Sequence, residues 1–226
     1  MLELYIGNKN YSSWSLRAWL LLEQLGIPFT EHRLRLDWQS DSPFKRTLLA
    51  IAPTGRVPLL VDDGFAVWDS LAITEYVAER FPDRGVWPRD AQARARARSL
   101  CAEMHSGFGA LRERFPMNIE ASLPDVGPRI VREQAAVADD LARIDAMWAE
   151  RLGADGGPFL FGAFSAADAF YAPVCSRLRT YGVPLSPASA AYVERIHDLP
   201  SMRRWCDAAR AEHEFVVEDE PYRTRA

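Results

Sequence analysis

The chain begins with a two-residue period. Leu2, Leu4 and Ile6 alternate with Glu3 and Tyr5, which predicts a short strand with one buried face. A polar turn, Gly7 to Asn10, leads into Tyr11-Ser-Ser-Trp-Ser15, and the period then changes. From Ser15 the segment Leu16 to Gly26 reads as a helix ended by Gly26, followed by Pro28 and a second strand around Phe29 to Leu34. Pro43 suits the first turn of a short helix running to about Ala50, and Ala52-Pro-Thr-Gly55 reads as a loop. Val57 to Val61 and Phe65 to Trp68 flank the turn sequence Asp62-Asp-Gly64, predicting a hairpin. Asp69-Ser70 then opens an amphipathic helix, Leu71 to Phe81. The predicted order is βαβαββα, an α/β layer of about eighty residues.

Beyond this point the strand signals nearly vanish. Pro82 to Pro88 contains two prolines and a glycine, the composition of a linker, and divides the chain into expected domains 1–82 and 88–226. Two long helical stretches follow, Ala91 to about Phe115 and Val126 to about Leu152, separated by a bend from Pro116 to Pro124. Gly107 and Gly109 in the first stretch each cost a helix about 1 kcal/mol and predict a kink or a close approach. After a loop from Gly153 to Pro158, Ser165-Ala-Ala-Asp168 is a variant capping box at the head of another helix. Two shorter helices, near Pro187 to His197 and Met202 to His213, complete this half. The tail from Glu218 reads as polar and mobile. The expected second domain is all-helical.

Charge and composition narrow the function classes. With 27 Lys and Arg against 31 Asp and Glu, a net charge of −4, the chain lacks the basic field that phosphate backbones attract, so no nucleic-acid partner is expected. The Arg94, Arg96, Arg98 run spreads around a helix and reads as solvated surface. Apolar runs are far short of the ~18 to 20 residues a membrane helix needs, and no secretory signal pattern opens the chain, so a cytoplasmic protein without a membrane partner is expected. Cys101, Cys175 and Cys206 are widely spaced and read as reduced thiols. His32, His105, His197 and His213 are scattered, so no metal site is expected.

Three separated patterns resemble one family, the cytosolic glutathione transferases. They are Tyr11-Ser-Ser-Trp-Ser-Leu-Arg17, Ala52-Pro-Thr-Gly-Arg-Val-Pro58 followed by Trp68-Asp-Ser70, and Phe164-Ser-Ala-Ala-Asp168. The order of these patterns on an α/β and then helical layout covers nearly the whole chain. The serine cluster is similar to serine-type members, and Ser-Ser-x-Ser to the zeta class. The resemblance implies a thioredoxin-like N-terminal domain that binds glutathione as co-substrate, an all-helical C-terminal domain that receives a small electrophile, and a homodimer. It implies conjugation of the glutathione thiolate, with two alternatives: a maleylacetoacetate-type cis-trans isomerase, or a glutathione carrier with little turnover. Trp14 stands where the zeta motif has Cys, and Ala52-Pro53 where it has Asn-Pro, which weakens the isomerase reading. No cysteine lies in the first hundred residues, which disfavours thiol-disulfide exchange.

The chemistry asks for a hydroxyl near the first helix. A thiol with an ordinary pKa near 8.5 is mostly protonated at neutral pH, and only its thiolate attacks efficiently. A donated hydrogen bond and the positive helix end both favour the anion. The candidates are Ser13 first and Ser12 as the alternative, with Tyr11 a minor competitor; ordinary helix capping is the bland reading of all three serines.

Val57-Pro58 resembles the family's cis-proline site, where Val57 would pair its backbone with the cysteinyl residue; in isolation such a pair is an ordinary trans proline at an edge strand. Arg56 suits a glutathione carboxylate or solvent. Asp69 and Ser70 replace the family's Glu-Ser or Gln-Ser and form an anion site at a helix start, although Asp69 is a methylene shorter than Glu. Met104, His105, Phe108 and Arg112, with the Pro116 to Asn118 bend, are the candidates for the second-substrate pocket, against an ordinary core role. Ser165 and Asp168 are expected to be structural.

Overall fold

The computed structural model describes residues 1–154 and 157–224. Asp155 and Gly156, within the expected Gly153 to Pro158 loop, and Arg225 and Ala226, at the end of the expected second domain, lie outside the described residues.

Strands β1 (Leu2–Ile6), β2 (Thr30–Arg33), β3 (Leu59–Asp62) and β4 (Phe65–Trp68) form one mixed sheet in the order β2-β1-β3-β4. The β1–β2 pair is parallel because helix α1 (Ser13–Gln24) crosses between them; β3 pairs antiparallel with β1, with Leu4 opposite Leu60. The hairpin turn carries Asp63 at φ 47 and Gly64 at φ 88, the two positive values that a two-residue turn matching the strand twist requires. Helix α2 (Pro43–Leu49) is capped by Ser42 Oγ, which accepts the Lys45 N–H at 3.2 Å. Helix α3 (Ser70–Arg80) ends at the expected proline. The βαβαββα layer is thioredoxin-like, as expected.

The remainder is helical: α4 (Ala91–Ser106), α5 (Gly109–Arg114), α6 (Val126–Glu133), α7 (Ala135–Ala154), α8 (Ala166–Thr180), α9 (Pro187–Asp198) and α10 (Pro200–Ala211). Among the described residues no helix is long and apolar enough to cross a membrane. Each of the two long expected helices is broken in two. The first breaks at Gly107 and Phe108, where Phe108 adopts φ 53; a Cβ on Gly107 would lie 2.7 Å from the Glu103 carbonyl oxygen, so only glycine fits there. The second breaks at Gln134, whose backbone is extended, with no glycine or proline to announce it.

Helix α1 lies between the sheet and α8, so one core runs through both halves. Leu16, Leu20, Leu21 and Leu22 are completely buried, as are Ala166, Ala169, Phe170 and Tyr171 on α8. Each large side chain buried in this way contributes about 1.5 to 3 kcal/mol. The packing matters for the site, because it sets an α8 side chain against the first turn of α1.

The tail corrects the expectation of mobility. Val217–Asp219 forms a short 3-10 turn, Glu220 is 5% exposed, and Tyr222 OH donates to the Arg114 carbonyl at 2.9 Å.

Candidate active site

The end of the loop between β1 and α1 and the first turn of α1 carry the serines. Ser12 N–H and Tyr11 N–H both donate to the Asn8 carbonyl, at 2.8 and 3.2 Å, which turns the chain sharply into α1. Ser15 is buried, and its Oγ accepts the Gly7 N–H at 3.1 Å and lies 2.7 Å from Ser12 Oγ. Ser15 therefore locks the loop, and Ser12 is tied to it. Ser13 differs. Its Oγ accepts a bond from Arg177 Nη2 at 3.0 Å, so its own proton is free to point elsewhere. The first turn of α1 has no acidic residue, leaving its positive end uncompensated.

Ser12 and Ser13 line a cavity of about 620 Å³ with Tyr11, Trp14, Arg56 and Val57. Trp14, Arg56 and Val57 also line a second cavity of about 300 Å³, with Asp69, Ser70 and His105, so the two are parts of one cleft. Val57-Pro58 is cis, as the resemblance implied. Ser70 Oγ is buried without a hydrogen-bond partner, a group that a bound anion or water would satisfy. Asp69 sits at φ 76, a conformation that costs a non-glycine residue about 1 to 3 kcal/mol. Its Oδ1 accepts the Leu71 N–H at 2.8 Å and its Oδ2 lies 3.2 Å from His105 Nε2, contacts that offset the strain.

Positive charge gathers behind Trp14. The Arg17 guanidinium stacks on Trp14 at 4.2 Å and on Phe170 at 5.1 Å, and Arg112 lies 5.6 Å from the Trp14 ring. Arg17 is 1% exposed, with Nε and Nη1 unpaired, and burial, reinforced by Arg177 and Arg112, lowers its pKa to about 9. Arg177 is pushed down to about 10, again by burial first. It is held by the carbonyls of Phe115 and Arg112. Asp219, half-buried, places a carboxylate in the cavity wall, and desolvation lifts it to about 6 against the opposing pull of Arg177. Tyr11 is no free donor: its hydroxyl donates to Glu220 Oε1 at 2.7 Å, and burial followed by that bond raises it to about 12.

The expected second-substrate residues separate. Arg112 lines the large cavity together with Pro116 and Met117. Met104 and Phe108 do not line it, because α4 turns Met104 into the core at 1% exposed and the left-handed break buries Phe108. His105 faces the smaller cavity instead and pairs with Asp69. Sequence reasoning missed Trp38, Lys45, Arg177 and Asp219, all of which line the large cavity. Lys45 Nζ donates to the Gly55 carbonyl at 2.9 Å. Trp38, 52% exposed, is the one residue with a local signal, a large aromatic in a polar stretch. Ser165 and Asp168 stand apart from the cleft, where the Asp168 carboxylate accepts the N–H groups of Ser165 and Leu160 at 2.9 and 3.1 Å and the Tyr192 hydroxyl at 2.9 Å. Among the described residues no group of three or more His, Cys, Asp or Glu is placed to hold a metal.

Comparison with known proteins identifies relatives of the chain. The crystal structure of a glutathione transferase homolog from Burkholderia gl BGR1, with bound glutathione, superposes with a TM-score of 0.69 at 28% identity, covering 94% of this chain and 99% of that one. A "Probable maleylacetoacetate isomerase" of Caenorhabditis elegans is 33% identical over 108 residues, 48% of each chain; mouse "Glutathione S-transferase theta-1" is 32% identical over 110 residues, 48% of this chain and 44% of that one. The matched stretch thus spans about half the length of these two relatives. A "Stringent starvation protein A homolog" of Coxiella burnetii is 24% identical over 97% of this chain and 96% of its own. Family models described as "Glutathione S-transferase, N-terminal domain" and "Glutathione S-transferase, C-terminal domain" match residues 11–80 and 91–208. With more than half of its length matched in this way, the chain belongs to the glutathione S-transferase family.

Proposed function

We propose that the protein binds glutathione along the cleft and transfers its thiolate to a small, partly apolar electrophile. The observation that carries this reading is Ser13. Its hydroxyl stands in the wall of the large cavity, at the positive end of α1, with its acceptor lone pair taken by Arg177 and its proton free for a sulfur. A hydrogen bond to a charged acceptor is worth about 1.5 to 3 kcal/mol, enough to lower a thiol pKa by about one to two units. Val57 would pair with the cysteinyl backbone, and Ser70 and the free N–H groups of α3 would take the γ-glutamyl carboxylate, with Asp69 and His105 beside it. Arg56, Trp38 and Lys45 suit the glycyl end. In the reaction the thiol proton leaves to solvent, the sulfur bonds to the electrophilic carbon, and the leaving group departs with the electron pair.

One observation favours a second reading. Arg112 and Arg177 both face the cavity, and two cations suit a substrate with acidic groups, as glutathione-dependent cis-trans isomerisation of an unsaturated diketo acid would use. There the thiolate adds to the double bond, rotation follows, and the thiolate is expelled unchanged. We also take the chain as two domains, 1–82 and 88–226, working in the cytoplasm as a homodimer.

The decisive measurement is the thiol pKa of glutathione bound to wild type and to Ser13→Ala, read from thiolate absorbance. A wild-type value well below 8.5 that rises about one unit in the variant supports the reading; an equal value moves the role to Ser12. Turnover on aryl halides or on maleylacetoacetate separates transferase from isomerase, and binding without turnover would leave a carrier.

A further inference from the structure

The loop that presents the serines is held from the far end of the chain. Glu212 Oε1 accepts the Lys9 N–H at 2.8 Å, and its Oε2 accepts Asn8 Nδ2 at 3.2 Å and the Asn10 N–H at 3.4 Å. Glu214 Oε2 accepts Asn8 Nδ2 at 2.8 Å, and Trp205 Nε1 donates to the Lys9 carbonyl at 3.0 Å. The last hold is Glu220, which gathers Tyr11 OH at 2.7 Å, Asn118 Nδ2 at 2.8 Å and the Arg223 guanidinium on one buried carboxylate. Every residue from Asn8 to Tyr11 is therefore fixed by side chains at or beyond position 205.

We propose that the segment Glu212 to Arg223 is the strap that sets the thiolate site, and that Glu220 is a positioning residue acting on Ser13 through Tyr11. The link is short. Tyr11 is two residues before Ser13, its carbonyl accepts the Ser13 N–H at 2.8 Å, and its ring lines the cavity. Rotation of Tyr11 would move the first turn of α1 relative to Arg177, which stands on α8 and is anchored separately to Phe115. A hydroxyl displaced by 1 Å loses most of a directional bond, whereas Val57, in the loop before β3, and Ser70, the first residue of α3, make no hydrogen bond to the strap among the described residues. The strap should thus govern ionisation and leave peptide binding alone. Asp219, beside Glu220, also places a carboxylate of this segment in the cavity wall.

This inference rests on the thiolate reading above, and the test separates the two. Full-length wild type, Glu220→Ala, Glu220→Gln and Tyr11→Phe are compared for glutathione affinity, bound-thiol pKa, and kcat and KM with an aryl halide. Glu220→Ala and Tyr11→Phe should each raise the bound-thiol pKa by about one unit and lower kcat roughly tenfold, with affinity within about threefold of wild type. Glu220→Gln keeps an oxygen for Tyr11 and Asn118, so it should stay within about threefold of wild type in all three. An unchanged thiol pKa in Tyr11→Phe, or in a folded Glu220→Ala, overturns the proposal and leaves Glu220 a structural buttress. If Glu220→Ala does not fold, Tyr11→Phe decides. A wild-type protein that binds glutathione without lowering its pKa overturns the thiolate reading itself, before any variant is compared.

Discussion

Arg177 Nη2 donates to Ser13 Oγ at 3.0 Å across 164 positions of sequence, joining helix α8 to the first residue of α1 at the wall of the large cavity. The bond does two things. It occupies a lone pair of the serine oxygen and leaves the proton to be donated elsewhere, and it brings a buried guanidinium, itself depressed to about 10, within one hydroxyl of the proposed sulfur site.

Replacing Arg177 should therefore damage chemistry more than peptide binding. Arg177→Met is expected to raise the bound-thiol pKa by about one to two units and to lower kcat/KM by about 10- to 100-fold, chiefly through kcat. Arg177→Lys keeps the charge but loses the fork that holds Ser13 and Phe115 together, and should recover little. Steady-state kinetics of both variants with glutathione saturating would show it; a loss confined to KM for glutathione would contradict this role.

Ser70 should act on affinity instead. Its Oγ is buried and unpartnered, so the protein alone leaves it unsatisfied. Ser70→Ala should weaken glutathione binding by about 1 to 2 kcal/mol, roughly 5- to 30-fold in Kd, while the thiol pKa of whatever binds stays near wild type. Calorimetric titration checks the first and thiolate absorbance the second.

Asp168 belongs to the fold. Its carboxylate holds Ser165, Leu160 and Tyr192 inside the buried core. Asp168→Ala should cost about 3 kcal/mol or more in unfolding free energy by leaving these donors unpaired. Activity per folded molecule should be unchanged, and urea unfolding beside active-site titration would separate the two.

His197 gives stability a pH dependence. Burial lowers its pKa to about 4, below the ordinary 6.5, and Nε2 has no partner to take a second proton. The unfolded chain thus binds more protons between about 6.5 and 4. The contribution of His197 is whole above pH 6.5 and is lost as pH falls to about 4, by up to roughly 3 kcal/mol. Asp168 and Asp219, both raised to about 6 by burial, act with the opposite sign in that window. The difference in unfolding free energy between wild type and His197→Gln, followed from pH 7 to 4, isolates the histidine. A flat difference would show that it does not titrate this way.

The dependence of the site on distant contacts marks the limit of sequence reading. The order βαβαββα, the hairpin at Asp62 to Gly64, the placing of Ser12 and Ser13 at the start of α1 and of Asp69 and Ser70 at the start of α3 were all legible in the sequence, because each depends on a period or turn within about a dozen residues. The break at Gly107 left a mark for the same reason: a glycine is a local event. The break at Gln134 left none. Arg177, Asp219 and Glu220 sat in segments that read as ordinary helix and polar tail, and only the packing of α8 on α1 and of the tail on the Asn8 to Tyr11 loop brought them to the serines. The sequence by itself determined which hydroxyls could serve a sulfur. What leaves the Ser13 proton free, and what holds the loop before it, was decided by contacts 164 and 209 residues apart, whose geometry no local pattern encodes.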